Sequence, residues 1–110
     1  MQRRQYTRIK FIRDLNLYLT GNQYKISTLD ISAGGMKLTT SENIDINASY
    51  DVSIPVSEEK FVDCQFQPIR IEKKNGGGYV VSGQFVYKSG HDKMILTQFC
   101  AKRSVEIKNK

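Results

Sequence analysis

Leu15-Asn16-Leu17-Tyr18-Leu19-Thr20-Gly21-Asn22-Gln23-Tyr24-Lys25-Ile26-Ser27-Thr28-Leu29-Asp30-Ile31 decides the fold class. Leu15 to Thr20 alternates apolar and polar, the pattern of a half-buried strand. Thr20-Gly21-Asn22-Gln23 is a turn signal. Tyr24 to Ile31, β-branched and apolar, reads as the returning strand of a hairpin. Ser32-Ala33-Gly34-Gly35 breaks the pattern, and Met36 to Thr40 is a short strand. A polar loop from Ser41 to Ala48 precedes a strand from Tyr50 to Pro55, and a charged loop runs from Val56 to Lys60. Phe61 to Lys73 reads as a long strand whose parity changes at Pro68. Val62, Cys64 and Phe66 share one face, while Ile69 and Ile71 share the other. Proline cannot donate to a ladder, so a bulge or an edge is expected there. Asn75-Gly76-Gly77-Gly78 is a hairpin signal, and Tyr79, Val81, Gly83, Phe85 and Tyr87 alternate on the return. Ser89-x-x-Asp92 then forms a capping box with Ser89 as N-cap. Ile95, Leu96, Phe99 and Cys100 follow at helical spacing, so the pattern predicts a helix from about Asp92 to Ser104. The expected architecture is all-β with one helix, a small barrel plugged or flanked by that helix.

The 110 residues suit a single domain, 1–110. No apolar run approaches the ~20 residues needed to span a bilayer, and the polar, basic start lacks the apolar core of a secretory signal. Cys64 and Cys100 are too few for a disulfide framework, and both sit in apolar patterns, so two buried free thiols and a cytoplasmic location are expected. The formal charge is +6 and is unevenly spread. Residues 1–13 hold Arg3, Arg4, Arg8, Lys10 and Arg13 with no acid. Residues 14–101 carry eight basic and ten acidic side chains, a net −2, and residues 102–110 add +3. Proteins that grip long nucleic acids carry a basic face across the body. A basic arm on a nearly neutral body suits a small anionic ligand better.

Catalysis has little to draw on. His91 is the only histidine, and a polar residue at its place in the helix start is ordinary. The cysteines lack partners at zinc spacing, and Gly76-Gly77-Gly78 is not followed by the Gly-Lys-Ser/Thr of a phosphate loop. No catalytic residue and no metal ligand is assigned, and binding is the default class. Two stretches carry it. Arg3-Arg4-Gln5-Tyr6-Thr7-Arg8 offers planar donor forks that pair with phosphate oxygens or with the O6/N7 edge of guanine. Asp30-Ile31-Ser32-Ala33-Gly34-Gly35 offers a carboxylate that accepts from guanine N1–H and N2–H2, a local hydroxyl, and glycines that allow positive φ or a close approach. Each stretch has a plainer reading, a solvated tail and a strand-ending turn. Together they make two halves of a guanine reader.

Arg4-x-x-x-Arg8 and Asp30-x-Ser32-x-x-Gly35, with a hairpin between them, resemble the two signature motifs of PilZ domains. Arg8-Ile9-Lys10-Phe11 is similar to the family's Arg-Val-Pro-Phe, with Lys10 in place of a frequent proline. Ser82 stands where the family usually has the glycine of Gly-x-x-Phe. The resemblance covers nearly the whole chain. It implies a six-stranded antiparallel β-barrel (9–88) with a C-terminal α-helix (91–104) and a mobile ligand-binding arm (1–8). It also implies the ligand cyclic di-GMP, no further cofactor, and a role as a non-enzymatic signalling receptor whose arm orders on binding and which acts on an unidentified downstream protein. The implied ligand residues are Arg3, Arg4, Arg8, Asp30, Ser32, Gly34 and Gly35. No membrane, DNA or RNA partner is expected. Two other readings stay open: a PilZ-like protein-interaction module without ligand, and a small nucleic-acid-binding barrel.

Overall fold

The computed structural model describes residues 6–108. Its elements are β1 (Ile9–Lys10), β2 (Asp14–Leu19), β3 (Asn22–Ile31), β4 (Gly35–Thr40), β5 (Tyr50–Pro55), β6 (Phe61–Lys73), β7 (Tyr79–Tyr87) and α1 (Gly90–Lys108). The strands pair antiparallel in the order β3-β2-β5-β6-β7-β4, and β4 pairs back onto β3. The six long strands thus form a closed barrel, with the two-residue β1 added along the end of β3.

The first hairpin closes tightly because Leu19 faces Asn22 and the two linking residues, Thr20 (φ 47°) and Gly21 (φ 82°), both take positive φ. That is the turn whose twist matches two paired strands, and Gly21 adopts it without a Cβ penalty. Leu17, Ile31, Leu38, Ile54, Val62, Phe66 and Val81 are fully buried and fill the barrel.

α1 lays Leu96 and Cys100 into that core, with Ile95 and Phe99 half-buried beside them. Phe99 meets Phe11 edge to face, ring centroids 5.9 Å apart. The Ser89 hydroxyl accepts from the Asp92 amide at 3.3 Å, which caps the first turn as expected. The helix runs on to Lys108, past the expected end near Ser104. No Gly or Pro follows Ser104 to stop it. Among the described residues no helix is long and apolar enough to cross a membrane. Cys64 and Cys100 are free and buried, and burial pushes their thiols up to about 12 and about 11, so both stay protonated at neutral pH.

Three register irregularities shape the wall. From Ile9 to Asp14 is five steps, whereas their partners Ile31 and Ser27 are four apart, so one extra residue sits between β1 and β2. In β3, Thr28 faces Leu38 and Asp30 faces Lys37, which leaves Leu29 as an extra residue. In β6, Pro68 faces Gly83 and Arg70 faces Ser82, which leaves Ile69 extra. The bulge expected at Pro68 is therefore present. Ile69 does not turn inward with Ile71, however. It is the bulged residue and is 60% exposed.

Thr28 holds the first irregularity together. Its fully buried hydroxyl donates to the Phe11 carbonyl (2.6 Å) and accepts from the Arg13 amide (3.0 Å). Thr28→Val keeps the shape but strands both backbone groups. We expect a loss of about 2 kcal/mol, seen as a lower urea midpoint with an unchanged denaturant slope.

Candidate ligand-binding surface

Directly opposed residues of an antiparallel pair share one face, and that face alternates along each strand. Ile9 and Ile31 are opposed and buried, so Lys10 and Asp30, the next opposed pair, point outward. Arg8 immediately precedes β1 and carries its side chain to Asp30. Its Nη1 donates to Asp30 Oδ1 at 2.5 Å, across 22 residues of sequence. Among the described residues this is the hydrogen bond that Asp30 makes through its side chain, and it leaves the second carboxylate oxygen open. The two side chains are 35% and 26% exposed, so a ligand can reach both.

Ser32 and the glycines form a fixed turn. The Ser32 amide donates to the Gly35 carbonyl (2.8 Å), and the Ser32 hydroxyl accepts from the Gly34 amide (3.1 Å). The Phe85 amide donates to the Gly34 carbonyl (2.9 Å), and the Tyr87 hydroxyl donates to the Ala33 carbonyl. Burial, the largest cause, raises the Tyr87 phenol well above its usual range and keeps that donor protonated. The turn beneath Asp30 is thus already tied to β7.

Gly35 has no positive φ. A Cβ placed on it would lie 2.0 Å from the Gly83 carbonyl oxygen. The close approach it permits is that of β7. Gly34 differs, since a Cβ there would meet side chains alone, the Tyr6 ring at 3.0 Å and the Ser32 hydroxyl at 3.6 Å. Tyr6 itself lies half-buried on Gly34 with the Lys93 ammonium 4.9 Å from its ring centroid. The described end of the arm is docked between the turn and α1. Arg3 and Arg4 lie outside the described residues.

The register also brings together residues that the motifs do not contain. Lys10, Asp30, Lys37, Ser82 and Arg70 are successive partners across β1, β3, β4, β7 and β6. The parity change at Pro68 was the sequence signal for Arg70, but which strand it would face is a tertiary matter. Beyond this rung the outer wall continues into an open groove of about 890 Å³ lined by Asp14, Ser27, Thr39, Lys25, Lys74 and neighbours. That groove does not include Arg8, Asp30 or Ser32.

The sequence profile of the PilZ domain family matches residues 2–102. The chain belongs to the PilZ domain family. No curated protein matches it by sequence. Three solved structures share the PilZ fold closely. Escherichia coli YcgR in complex with c-di-GMP superposes with a TM-score of 0.80 at 18% identity, over 98% of this chain and 49% of that one. Bacillus subtilis MotI/DgrA, an inhibitor of motility, gives 0.79 at 20%, over 96% and 53%. The isolated PilZ domain of E. coli YcgR with c-di-GMP gives 0.73 at 18%, over 99% of both chains. The chain therefore spans about half the length of the first two and all but the edges of the third. The six-stranded barrel with one C-terminal helix expected from the signature motifs is the PilZ barrel described above.

Proposed function

We propose that this PilZ domain is a receptor for cyclic di-GMP. The observation that carries the reading is the meeting of Arg8 and Asp30, 22 residues apart in sequence, on one outward wall, with the buried Ser32 holding the turn next to them. Asp30 keeps Arg8 on Oδ1 and takes guanine N1–H and N2–H2 with its open carboxylate edge. Arg8 turns its remaining donors to a guanine O6/N7 edge or to a phosphate oxygen. Ser32 and Gly34 floor the site. Arg3 and Arg4 close over the ligand from the arm, whose like charges are neutralised by the two phosphodiesters.

Ordering of the arm is the signal, read by a downstream protein through the changed surface. Tyr6, seated between Gly34 and Lys93, is the docked residue from which ordering of the arm would start in this reading. Because the messenger is made and read inside bacteria, the domain works in the cytoplasm. Bound cyclic di-GMP in E. coli YcgR, a structural neighbour, supports the choice of ligand.

Titration calorimetry decides it. Cyclic di-GMP produces a saturable heat, and hydrogen exchange slows at residues 3–8 when the ligand is present. An absence of heat at millimolar ligand overturns the receptor reading and leaves the protein-interaction and nucleic-acid-binding readings.

A further inference from the structure

Two bulges place charge on the outer wall where plain alternation would bury it. In β6, Val62, Cys64, Phe66 and Pro68 are buried at every second position, so an unbroken strand would turn Arg70 into the core. The extra residue Ile69 reverses the parity, and Arg70 emerges opposite Ser82. In β3, Ile26 and Thr28 are buried, so Asp30 would follow them inward. The extra residue Leu29 turns Asp30 out and Ile31 in. A bulge costs ladder hydrogen bonds, and bulges are enriched where a side chain must be re-aimed. Both bulges lie against one rung, in which Asp30 faces Lys37, Lys37 faces Ser82, and Ser82 faces Arg70.

We propose that Lys37, Ser82 and Arg70 form the second half of the ligand surface and hold the nucleotide that Asp30 does not. This rests on the receptor reading above and extends it to three residues outside the signature motifs. Three strand spacings separate Asp30 from Arg70, roughly 14 Å around the wall, a distance on the scale of a two-base ligand. Lys37 stands in the middle of the rung and half-buried, where a point charge meets a phosphodiester. Arg70 stands at the far end, where its donor fork takes the acceptor atoms of the second nucleotide, guanine O6/N7 or phosphate oxygen. Ser82 lies between them with a hydroxyl for a ribose or phosphate oxygen. Arg70 is free to do this. Its one ion pair among the described residues, to Glu72 at 3.2 Å, joins side chains 70% and 53% exposed, and such pairs hold weakly. The place of Ser82, where the family usually has glycine, turns a blank wall position into a hydrogen-bonding one.

The test is calorimetry with cyclic di-GMP on the whole chain. Wild type is compared with Lys37→Ala, Arg70→Ala, the double variant and Arg70→Lys, with Lys60→Ala in an exposed loop as the charge control. Melting temperatures are taken for all. Each single alanine weakens binding about tenfold, and the double variant weakens it more than either. Arg70→Lys recovers only part of the loss, because an ammonium lacks the fork. Lys60→Ala stays within about twofold and shows that net charge alone is not the cause. Wild-type affinity in folded Lys37→Ala and Arg70→Ala proteins overturns this proposal and leaves the receptor reading standing. A wild-type chain that does not bind overturns both.

Discussion

Asp30→Ala is expected to weaken cyclic di-GMP binding by roughly a hundredfold or more and to barely move the melting temperature. Two guanine N–H donors lose a charged acceptor at once. The cost to the fold is small, because the Arg8–Asp30 pair is partly exposed and pairs of that kind contribute only about 0–1 kcal/mol. Asp30→Asn is the finer probe. It keeps the shape but presents one acceptor and an amide donor, so the preference for cyclic di-GMP over cyclic di-AMP shrinks. Adenine lacks the N1–H and N2–H2 pair assigned to Asp30, so the wild-type protein is expected to bind cyclic di-AMP far more weakly. Competition calorimetry with the two dinucleotides checks both statements. Equal affinity of the wild type for the two would falsify the guanine-reading role of Asp30.

Gly35→Ala acts in the opposite way, through the fold. Its new methyl carbon would lie 2.0 Å from the Gly83 carbonyl oxygen and 2.9 Å from Gln84 Cα. Both are backbone atoms of a strand that pairs with β4 through six consecutive positions, from Gly35 with Gln84 to Thr40 with Tyr79. Neither strand can give way without loosening that ladder. The expected loss is about 3 kcal/mol or more, beyond ordinary overpacking because backbone must move. Gly34→Ala is the companion variant. Its tight contact is with the Tyr6 ring, a side chain that can shift, and it is expected to stay near wild-type stability. Thermal and urea unfolding of the two variants separate the roles. If Gly35→Ala keeps wild-type stability yet loses ligand, the glycine serves the ligand and not the barrel.

Much of this was legible because local signals and the fold agree. Alternation from Leu15 to Thr20, the Thr20–Gly21 turn, the Asn75–Gly78 hairpin and the Ser89 cap each fall where the strands and helix begin or end. What escaped depends on contacts distant in sequence. The two-residue β1 has no periodicity to display and exists only because β3 offers it an edge. Ile69 looks as apolar as Ile71, and only the register against β7 reveals which one is extra. Gly35 was legible as a close-approach glycine, but its neighbour Gly83 is 48 positions away, so the direction of approach was not. Tyr6 was legible as an aromatic on a basic arm, and its seat between Gly34 and Lys93 depends on where the helix packs. Proximity of Arg8 to Asp30 followed from the paired motifs. That the two residues bond each other follows from the outward parity that the Leu29 bulge imposes.

The barrel is not tied equally around its circumference. Between β2 and β5, one position, Tyr18 with Asp51, is in register among the described residues. Directly across the ring lies the β4–β7 ladder, with its six paired positions and its glycine-to-carbonyl contact. Local opening follows the least hydrogen-bonded backbone, so the seam between β2 and β5 works as the expansion joint of the molecule. Hydrogen exchange is expected to be fastest there, on the side away from Lys37 and the Ser32–Gly35 turn. The wall that carries Asp30, Lys37 and Ser82 is therefore expected to keep its spacing while the opposite wall flexes, and a receptor built on it would have a rigid face without a rigid barrel.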